Sequence, residues 1–426
     1  MQPQNPLLPG SRYSNFYKLV FFALVAVYLA DCFTPLRLHV DSLRYYAIME
    51  CIRYGCPADS SAATDYFPYG YTALLLLFLK LGILKSFAIV FINDIYLFGG
   101  LFFLYQVFRK TISPFLYFVI VLLNWIFVKF VAHPLSEMQY IFFSLGSIFF
   151  FYQFILRKKI QWLALSLVFG WVAFLTRTVG ITLIGAIAVG LIWEFRVQQL
   201  AFLRNNKLLV GGILAILIAA LIIFSKPLGI NHYGNVLSEH FKEAPFFKRI
   251  GWRFKEWGEI FVNTPSNKFI DYVAKAGEFA FITLGLIIFC WFIYRLYFSK
   301  NTIPFFIKAY FLFYCLIMFN WPFNDPRFWA PVMPVMAAIV LQLYADEKNK
   351  ISRLFFSGLF IVYMFLGSFA AGYMVYTSFN KKVFARTQAK GVFRTEYEIH
   401  FFGKPLNDTA TQTDPFVIHV LQKYDR

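Results

Sequence analysis

The sequence predicts an all-α polytopic membrane protein with about eleven transmembrane helices, its N-terminus inside the cell and its C-terminus outside. Three observations support this fold class. The chain of 426 residues is 59% hydrophobic and only 15% charged, and its mean hydropathy is +0.60. Apolar runs long enough to cross a bilayer as helices recur along most of its length. Basic clusters separate these runs where cytoplasmic loops are expected.

The net charge is strongly positive, with 40 Lys and Arg against 22 Asp and Glu. In a membrane protein this excess indicates cytoplasmic loops and contact with anionic lipids. No pattern typical of RNA- or DNA-binding proteins is present, so nucleic acid is not expected as a partner. The first apolar run lacks a small-residue cleavage site, which predicts an uncleaved first helix. The lack of a long outer domain bearing sequons favours a bacterial inner membrane, with the site facing the periplasm or cell exterior.

The first span is predicted over residues 15–33, and a polar first outer loop follows over 34–86. Residues 70–84 in this loop are apolar, but counting them as a span would put every later basic cluster outside. We therefore predict a short helix there that lies at the interface and does not cross. The remaining predicted spans are 87–107, 111–132, 136–156, 160–177, 179–195, 208–225, 277–297, 303–321, 328–344 and 354–377.

Loop 226–276 has spaced aromatic and basic residues, among them Trp257 and Arg253. This spacing predicts an amphipathic helix at the membrane interface, with tryptophan at the headgroup level. Cations in an outer loop could lie near a lipid-phosphate site. A solvated helix face resting on anionic headgroups explains them equally well.

Five cysteines are too few for a disulfide scaffold. Cys290 and Cys315 lie within spans and are expected to be packing residues. Cys51 and Cys56 flank Arg-Tyr-Gly in the first outer loop, where a local disulfide could form outside the cytosol. Two free thiols in an interfacial helix are the alternative.

The same loop concentrates polar residues in the stretch HVDSLRYYAIMECIRYGCPADSSAATDYFPYGY. Asp41 stands at helical spacing from Arg37 and Arg44. It could therefore be a general base that deprotonates an acceptor hydroxyl, kept ionised by the flanking arginines. It could also be an exposed residue that caps an interfacial helix and forms local ion pairs.

An N-terminal span, an outer loop that opens with Asp and Tyr, and a Pro-aromatic turn before an apolar helix resemble the GT-C superfamily. These integral-membrane glycosyltransferases, which include protein mannosyltransferases and aminoarabinose transferases, use polyprenyl-phosphate sugars. The likeness covers roughly residues 15–345. The matching segments are Asp41-Ser42 with Tyr45, Tyr66-Phe67-Pro68-Tyr69-Gly70-Tyr71, His133-Pro134-Leu135-Ser136-Glu137 with Tyr140, Leu175-Thr176-Arg177-Thr178-Val179-Gly180, and Asp325-Pro326-Arg327-Phe328-Trp329-Ala330-Pro331 with Pro334. Many members carry two adjacent acids where this chain has Asp41-Ser42, which resembles the single-Asp, metal-independent branch.

The resemblance implies that Asp41 is the general base and that Glu137 is a second catalytic acid. Arg327, and after it Arg177, would hold the lipid phosphate, because guanidinium groups fork onto phosphate oxygens. Either arginine could instead snorkel at the interface, and Glu137 could merely favour the dipole of its helix. The leaving group is already a good one, so no cofactor is required, although a divalent metal could help.

The remaining candidates are expected to bind substrate, and each has a simpler interpretation. Asp65 could hold sugar or acceptor hydroxyls, or be a solvated loop residue. Tyr69 and Tyr71 could stack on a sugar face or anchor the turn. Tyr45 belongs to the motif of Asp41, and His133 could be a ligand or simply a corner residue before proline.

Together these inferences predict an inverting glycosyltransferase that moves a hexosyl or pentosyl group from a polyprenyl-phosphate carrier to an unidentified acceptor outside the cytosol. Residues 1–345 would form the catalytic transmembrane module, 346–377 the last transmembrane helix, and 378–426 a small extracytoplasmic tail. The alternative is a lipid or sugar transporter or flippase, which would use charged residues near mid-membrane. Asp94 is such a residue, but no internal repeat is visible and we assign Asp94 a structural role.

Overall fold

The computed structural model describes residues 14–65, 67–195, 238–239, 241, 244–406 and 413–425, and the regular secondary structure of these residues is helical throughout. Numbered along this part of the chain, the helices are α1 (Ser14–Asp31), α2 (Val40–Tyr54), α3 (Tyr69–Lys80), α4 (Ser86–Phe108), α5 (Pro114–Leu122), α6 (Trp125–Phe130), α7 (Glu137–Arg157), α8 (Ile160–Thr176), α9 (Ile181–Glu194), α10 (Phe246–Val262), α11 (Asn267–Ile293), α12 (Phe305–Asn320), α13 (Met333–Ala345), α14 (Lys350–Phe379), α15 (Lys381–Thr387), α16 (Arg394–Phe402) and α17 (Pro415–Tyr424).

Five helical stretches are long and apolar enough to cross a membrane, which indicates a membrane protein. They are α1, α4, α7, the stretch Ala276–Phe298 that includes the end of α11, and α14. Each coincides with a predicted span. Shorter apolar helices occupy four other predicted spans, in α8, Thr178–Glu194, α12 and α13. The predicted span 208–225 lies outside the described residues, and the eleven crossings with their orientation stay a prediction.

One predicted span is not a continuous helix. Residues 111–132 form α5 and α6, which are separated at Asn124. The Asn124 side chain accepts a hydrogen bond from the Ile126 N–H at 3.0 Å and so caps α6. Its amide nitrogen donates to the Ile260 carbonyl at 3.2 Å and to the Tyr363 hydroxyl at 3.1 Å. A buried asparagine thus supplies the partners that let the helix break within this predicted span, and its crossing of the membrane stays a prediction.

The chain between α1 and α4 leaves one end of the helix bundle and returns to the same end. The Ser86 hydroxyl at the start of α4 donates to the Thr34 carbonyl just beyond α1, at 2.9 Å. Between them, α3 has 12 residues, or roughly 18 Å at the usual helical rise. A membrane core is about 30 Å thick, so this geometry agrees with a helix that does not cross.

The first outer loop and the C-terminal tail share a hydrophobic core separate from the main one. The rings of Tyr46 and Tyr424 stack with centroids 5.0 Å apart. The Tyr397 hydroxyl donates to the Leu36 carbonyl at 2.6 Å, and Asp425 accepts from the Leu36 N–H at 2.6 Å. The tail is thus an integral part of the structure around the first outer loop, which the prediction of a small separate tail did not anticipate.

The first outer loop also contains a disulfide. Cys51 and Cys56 are bonded, with Cα atoms 4.9 Å apart, inside the usual range for a disulfide. The bridge follows the end of α2, where Gly55 has a φ of +83°. Glycine adopts this left-handed conformation readily, and it lets the chain turn back between the two cysteines.

The helix expected in loop 226–276 exists as α10, but its charged side faces protein. Arg253, Glu256 and Trp257 are fully buried. On another side α10 packs closely on α11, and a Cβ atom at Gly285 would come within 1.8 Å of the Phe254 carbonyl oxygen. Arg253 therefore does not lie on a solvated basic face. Its burial is possible because Glu256, one turn away on the same helix, neutralises its charge.

Candidate functional site

Four polar corners that are far apart in the sequence meet at one end of the helix bundle. Asp41 lies in the first turn of α2, and Glu137 is the first residue of α7. Arg177 directly follows α8, and Arg327 lies in the 3-10 turn Pro326–Trp329 before α13. Helix ends can hold polar side chains here because their own unpaired backbone groups need polar surroundings.

These four residues form one continuous chain of ion pairs. Arg327 Nη2 lies 2.5 Å from Asp41 Oδ2, and Arg327 Nε lies 3.5 Å from Glu137 Oε1. Arg177 Nη1 lies 2.7 Å from the same Glu137 oxygen. Glu137 therefore lies between two arginines, and its side chain is only 1% exposed. The structure brings together all four residues for which the resemblance implies catalytic or phosphate-binding roles.

Asp41 is oriented by the start of its own helix. His39 is the N-cap of α2, and its Nδ1 accepts from the Asp41 N–H at 3.2 Å. In the neutral ring the proton must then be on Nε2. Burial raises the pKa of Asp41, but Arg327 and then His39 lower it more, so the pKa lies below its ordinary value. Asp41 is thus an anion at neutral pH.

The ion partner that keeps Asp41 ionised is Arg327, not the flanking arginines that the spacing predicted. Arg37 precedes the helix, so helical spacing does not apply to it, and it donates to the hydroxyls of Thr34 and Ser378. Arg44 forms a two-pronged pair with Asp65, with both N–O distances 2.8 Å. The prediction about the flanking arginines is therefore wrong, although the carboxylate is ionised as expected.

Arg327 is the centre of the charge cluster. Its side chain is 3% exposed, and a third carboxylate, that of Asp325, lies 3.7 Å from Nε. Burial lowers the pKa of Arg327, but Glu137, Asp41 and Asp325 raise it more, so the net change is upward. Nη1 is nevertheless buried without a hydrogen-bond partner in the structure. A guanidinium prefers to use all its N–H groups, so Nη1 is suited to a further anionic oxygen.

The cluster forms one wall of a cavity of about 880 Å³. Another part of the lining is apolar and aromatic, and it comes from the turn before α9 and the first residue of α9, the end of α12 and the corner that follows α12. Its residues include Val179, Ile181, Leu316, Ile317, Trp321 and Phe323. One cavity thus combines charged groups with surface suited to a hydrocarbon chain.

The other predicted substrate-binding residues have different positions. Tyr45 lines the cavity, and its hydroxyl donates to Ser136 at 2.9 Å. Tyr71 is buried behind it, with ring centroids 5.0 Å apart, and Tyr69 is 57% exposed. Asp65 is hydrogen-bonded to Arg44. Arg44 lines the cavity, whereas Asp65 does not. His133 is buried, with Nδ1 2.9 Å from the Lys129 carbonyl oxygen, so the structure places it as a corner residue.

The Arg327 corner is held from behind by α10. Trp329 Nε1 donates to Glu256 Oε2 at 2.8 Å, and Arg253 Nη1 lies 3.1 Å from the same oxygen. Arg253 also donates to the Phe323 carbonyl at 2.6 Å. Phe323 and Trp329, which lie on either side of Arg327 in the sequence, are thus both bonded to the buried ion pair of Arg253 and Glu256. These bonds fix the position of Arg327.

Sequence reasoning missed several residues of the site. His39, Ser136 and Asp325 line the cavity and contact the ion-pair chain. His39 could have been found from its position before the first turn of α2, where caps are expected. Among the described residues, no group of three or more His, Cys, Asp or Glu side chains could hold a metal ion.

Comparison of the chain with protein-family models, with curated proteins and with solved structures finds no match.

Proposed function

We propose that the protein is an inverting glycosyltransferase that takes its sugar from a polyprenyl-phosphate carrier. The observation that carries this proposal is that a partly exposed carboxylate, Asp41, and two arginines, Arg327 and Arg177, line one cavity together with a set of apolar and aromatic residues. A donor of this class has the same three parts, namely a sugar, a phosphate and a hydrocarbon chain.

The phosphate would bind at the arginines. Arg327 and Arg177 both line the cavity, and Nη1 of Arg327 has no partner among the described residues. Arginine binds phosphate oxygens through two parallel hydrogen bonds. In a buried site such bonds stabilise the charge that develops on the leaving phosphate. The hydrocarbon chain would lie along the apolar wall near Leu316 and Trp321.

Asp41 would accept the proton of the acceptor hydroxyl. The hydroxyl oxygen forms a bond to the anomeric carbon while the bond from that carbon to the phosphate oxygen breaks. The bonding electrons leave with the phosphate, so polyprenyl phosphate is released with the negative charge, and the proton stays on Asp41 until solvent takes it. A positioned general base typically contributes about 10²–10⁴-fold to the rate.

Turnover of a small donor panel by the purified protein tests the proposal. The panel contains polyprenyl-monophosphate and polyprenyl-diphosphate sugars, and the measurement is the release of free lipid phosphate. We expect slow hydrolysis or transfer from a monophosphate donor. A folded protein that turns over no donor in the panel, while binding none of them, would contradict the proposed substrate class.

A further inference from the structure

We infer that the Arg327–Asp41 ion pair is a latch, in which the donor phosphate displaces Asp41 from Arg327 and so frees the base. This inference rests on the proposed function and concerns the order of events in the same site. Without donor, Asp41 is bound to Arg327 and cannot easily accept a proton. With donor bound, the carboxylate is released into the cavity beside the acceptor.

The geometry of Arg327 favours an exchange. A two-pronged bond to phosphate uses two neighbouring N–H groups of one guanidinium. Among the described residues Nη1 has no hydrogen-bond partner, whereas its neighbour Nη2 is bonded to Asp41 at 2.5 Å. A phosphate that binds across Nη1 and Nη2 would place a second anion on Nη2. Since each Nη carries two N–H groups, Nη2 could bond both, but two anions on one nitrogen repel each other, which favours the release of Asp41.

Asp41 is also the carboxylate that can leave at least cost. Its side chain is 28% exposed, so water can replace Arg327 as its partner. Glu137 is 1% exposed and pairs with both Arg327 and Arg177. Moving Glu137 away from Arg327 would break a contact of a fully buried carboxylate that water cannot replace, which costs more than releasing a partly exposed one.

The exchange would make Asp41 a stronger base at the right moment. Arg327 lowers the pKa of Asp41, and burial raises it. Once the phosphate neutralises Arg327, burial becomes the larger effect, and the carboxylate binds a proton more readily. His39, Arg177, Glu137 and Tyr45 also interact electrostatically with Asp41, and the exchange does not require any of them to move.

The test is the binding of farnesyl phosphate to the purified full-length protein in detergent, measured by titration calorimetry. Asp41→Asn removes the competing charge, so we expect it to bind farnesyl phosphate about 3- to 10-fold more tightly than the wild type, a change of the size of a typical net hydrogen-bond contribution. Farnesol, which lacks the phosphate, should bind both proteins equally. If Asp41→Asn does not fold, Asp41→Ser is the substitute, with the same expectation.

Asp59→Asn is the control, because it removes an exposed carboxylate of the first outer loop that does not line the cavity. We expect it to change the affinity by less than about twofold, since a solvent-exposed charge away from the cavity has little effect on binding there. Unchanged or weaker binding by Asp41→Asn, or equal tightening by Asp59→Asn, would overturn the latch and leave the proposed function standing. Absence of farnesyl phosphate binding in every folded variant would overturn both.

Discussion

Replacing Glu137 by glutamine should destabilise the protein, because this carboxylate holds two buried arginines together. Glu137 is 1% exposed and lies 2.7 Å from Arg177 and 3.5 Å from Arg327. Glutamine has nearly the same shape but no charge, so the substitution leaves both guanidinium groups without their shared counter-ion. Breaking a buried ion pair in this way typically costs about 3–5 kcal/mol.

The expected shift in the midpoint of thermal unfolding follows from chain length. An unfolding entropy of about 2.1 cal/mol/K per residue gives roughly 0.9 kcal/mol/K for a chain of 426 residues. The loss of about 3–5 kcal/mol therefore corresponds to a Tm lower by roughly 3–6 °C. Differential scanning fluorimetry of the purified protein in detergent can measure a shift of this size.

Glu278→Gln provides the matched comparison. Glu278 is 42% exposed and pairs with Lys255 at 3.3 Å, and exposed pairs contribute about 1 kcal/mol or less. Its Tm should therefore lie within about 1 °C of the wild type. A Tm of Glu137→Gln equal to that of the wild type, or no lower than that of Glu278→Gln, would show that Glu137 does not stabilise the fold through the two buried arginines.

Three further predictions follow from other parts of the structure. Gly285→Ala should lower the Tm by several degrees, because its Cβ would overlap the Phe254 carbonyl. Gly358→Ala, whose Cβ would have nothing within 4 Å, should leave the Tm unchanged or slightly raised. Similar Tm values for the two variants would contradict the packing of α10 on α11. The pKa of Asp41 lies below its ordinary value in the free protein, because Arg327 and His39 together outweigh its burial, so kcat/KM for the donor should fall only as pH falls through that lowered pKa. Release of Asp41 from Arg327 in the donor complex would raise its pKa, so the acidic limb of kcat should lie at higher pH than that of kcat/KM, whereas coincident limbs would argue against release of Asp41. Asp94→Asn should retain sugar transfer, because Asp94 is buried in α4 beside Cys32, and loss of transport with intact Asp41 chemistry would favour a transporter instead.

The sequence predicted which corners carry the site better than it predicted the contacts within it. Asp41, Glu137, Arg177 and Arg327 were all selected from short motifs near helix ends, and the structure joins them. The positive-inside pattern also predicted that residues 70–84 return to the side from which they came. The four residues meet because polar side chains at the ends of apolar helices are excluded from the hydrocarbon and gather at the same end of the bundle. The return of residues 70–84 stays a prediction, with which the length of α3 agrees.

The partners of these residues could not be predicted, because they depend on tertiary contacts. Arg327 meets Asp41 from 286 positions away, and no local spacing indicates that pair. A solvated face was one of the two interpretations of Arg253, yet Arg253 is fully buried beside Glu256, a partner that the spacing of basic residues did not indicate. The break at Asn124 had a visible signal, a lone asparagine in an apolar run, since asparagine is a favoured helix cap.

Turnover of a monophosphate donor by Asp41→Asn, measured beside wild type, tests the central claim most directly. Asp59→Asn is the control, because it removes an exposed acid of the same outer loop that does not line the cavity. We predict that Asp41→Asn, folded and eluting like the wild type, turns over the donor at least about 100-fold more slowly. Asp59→Asn should turn it over at the wild-type rate. Near-normal transfer by Asp41→Asn would contradict the role of Asp41 as the base and, with it, the mechanism proposed for this site.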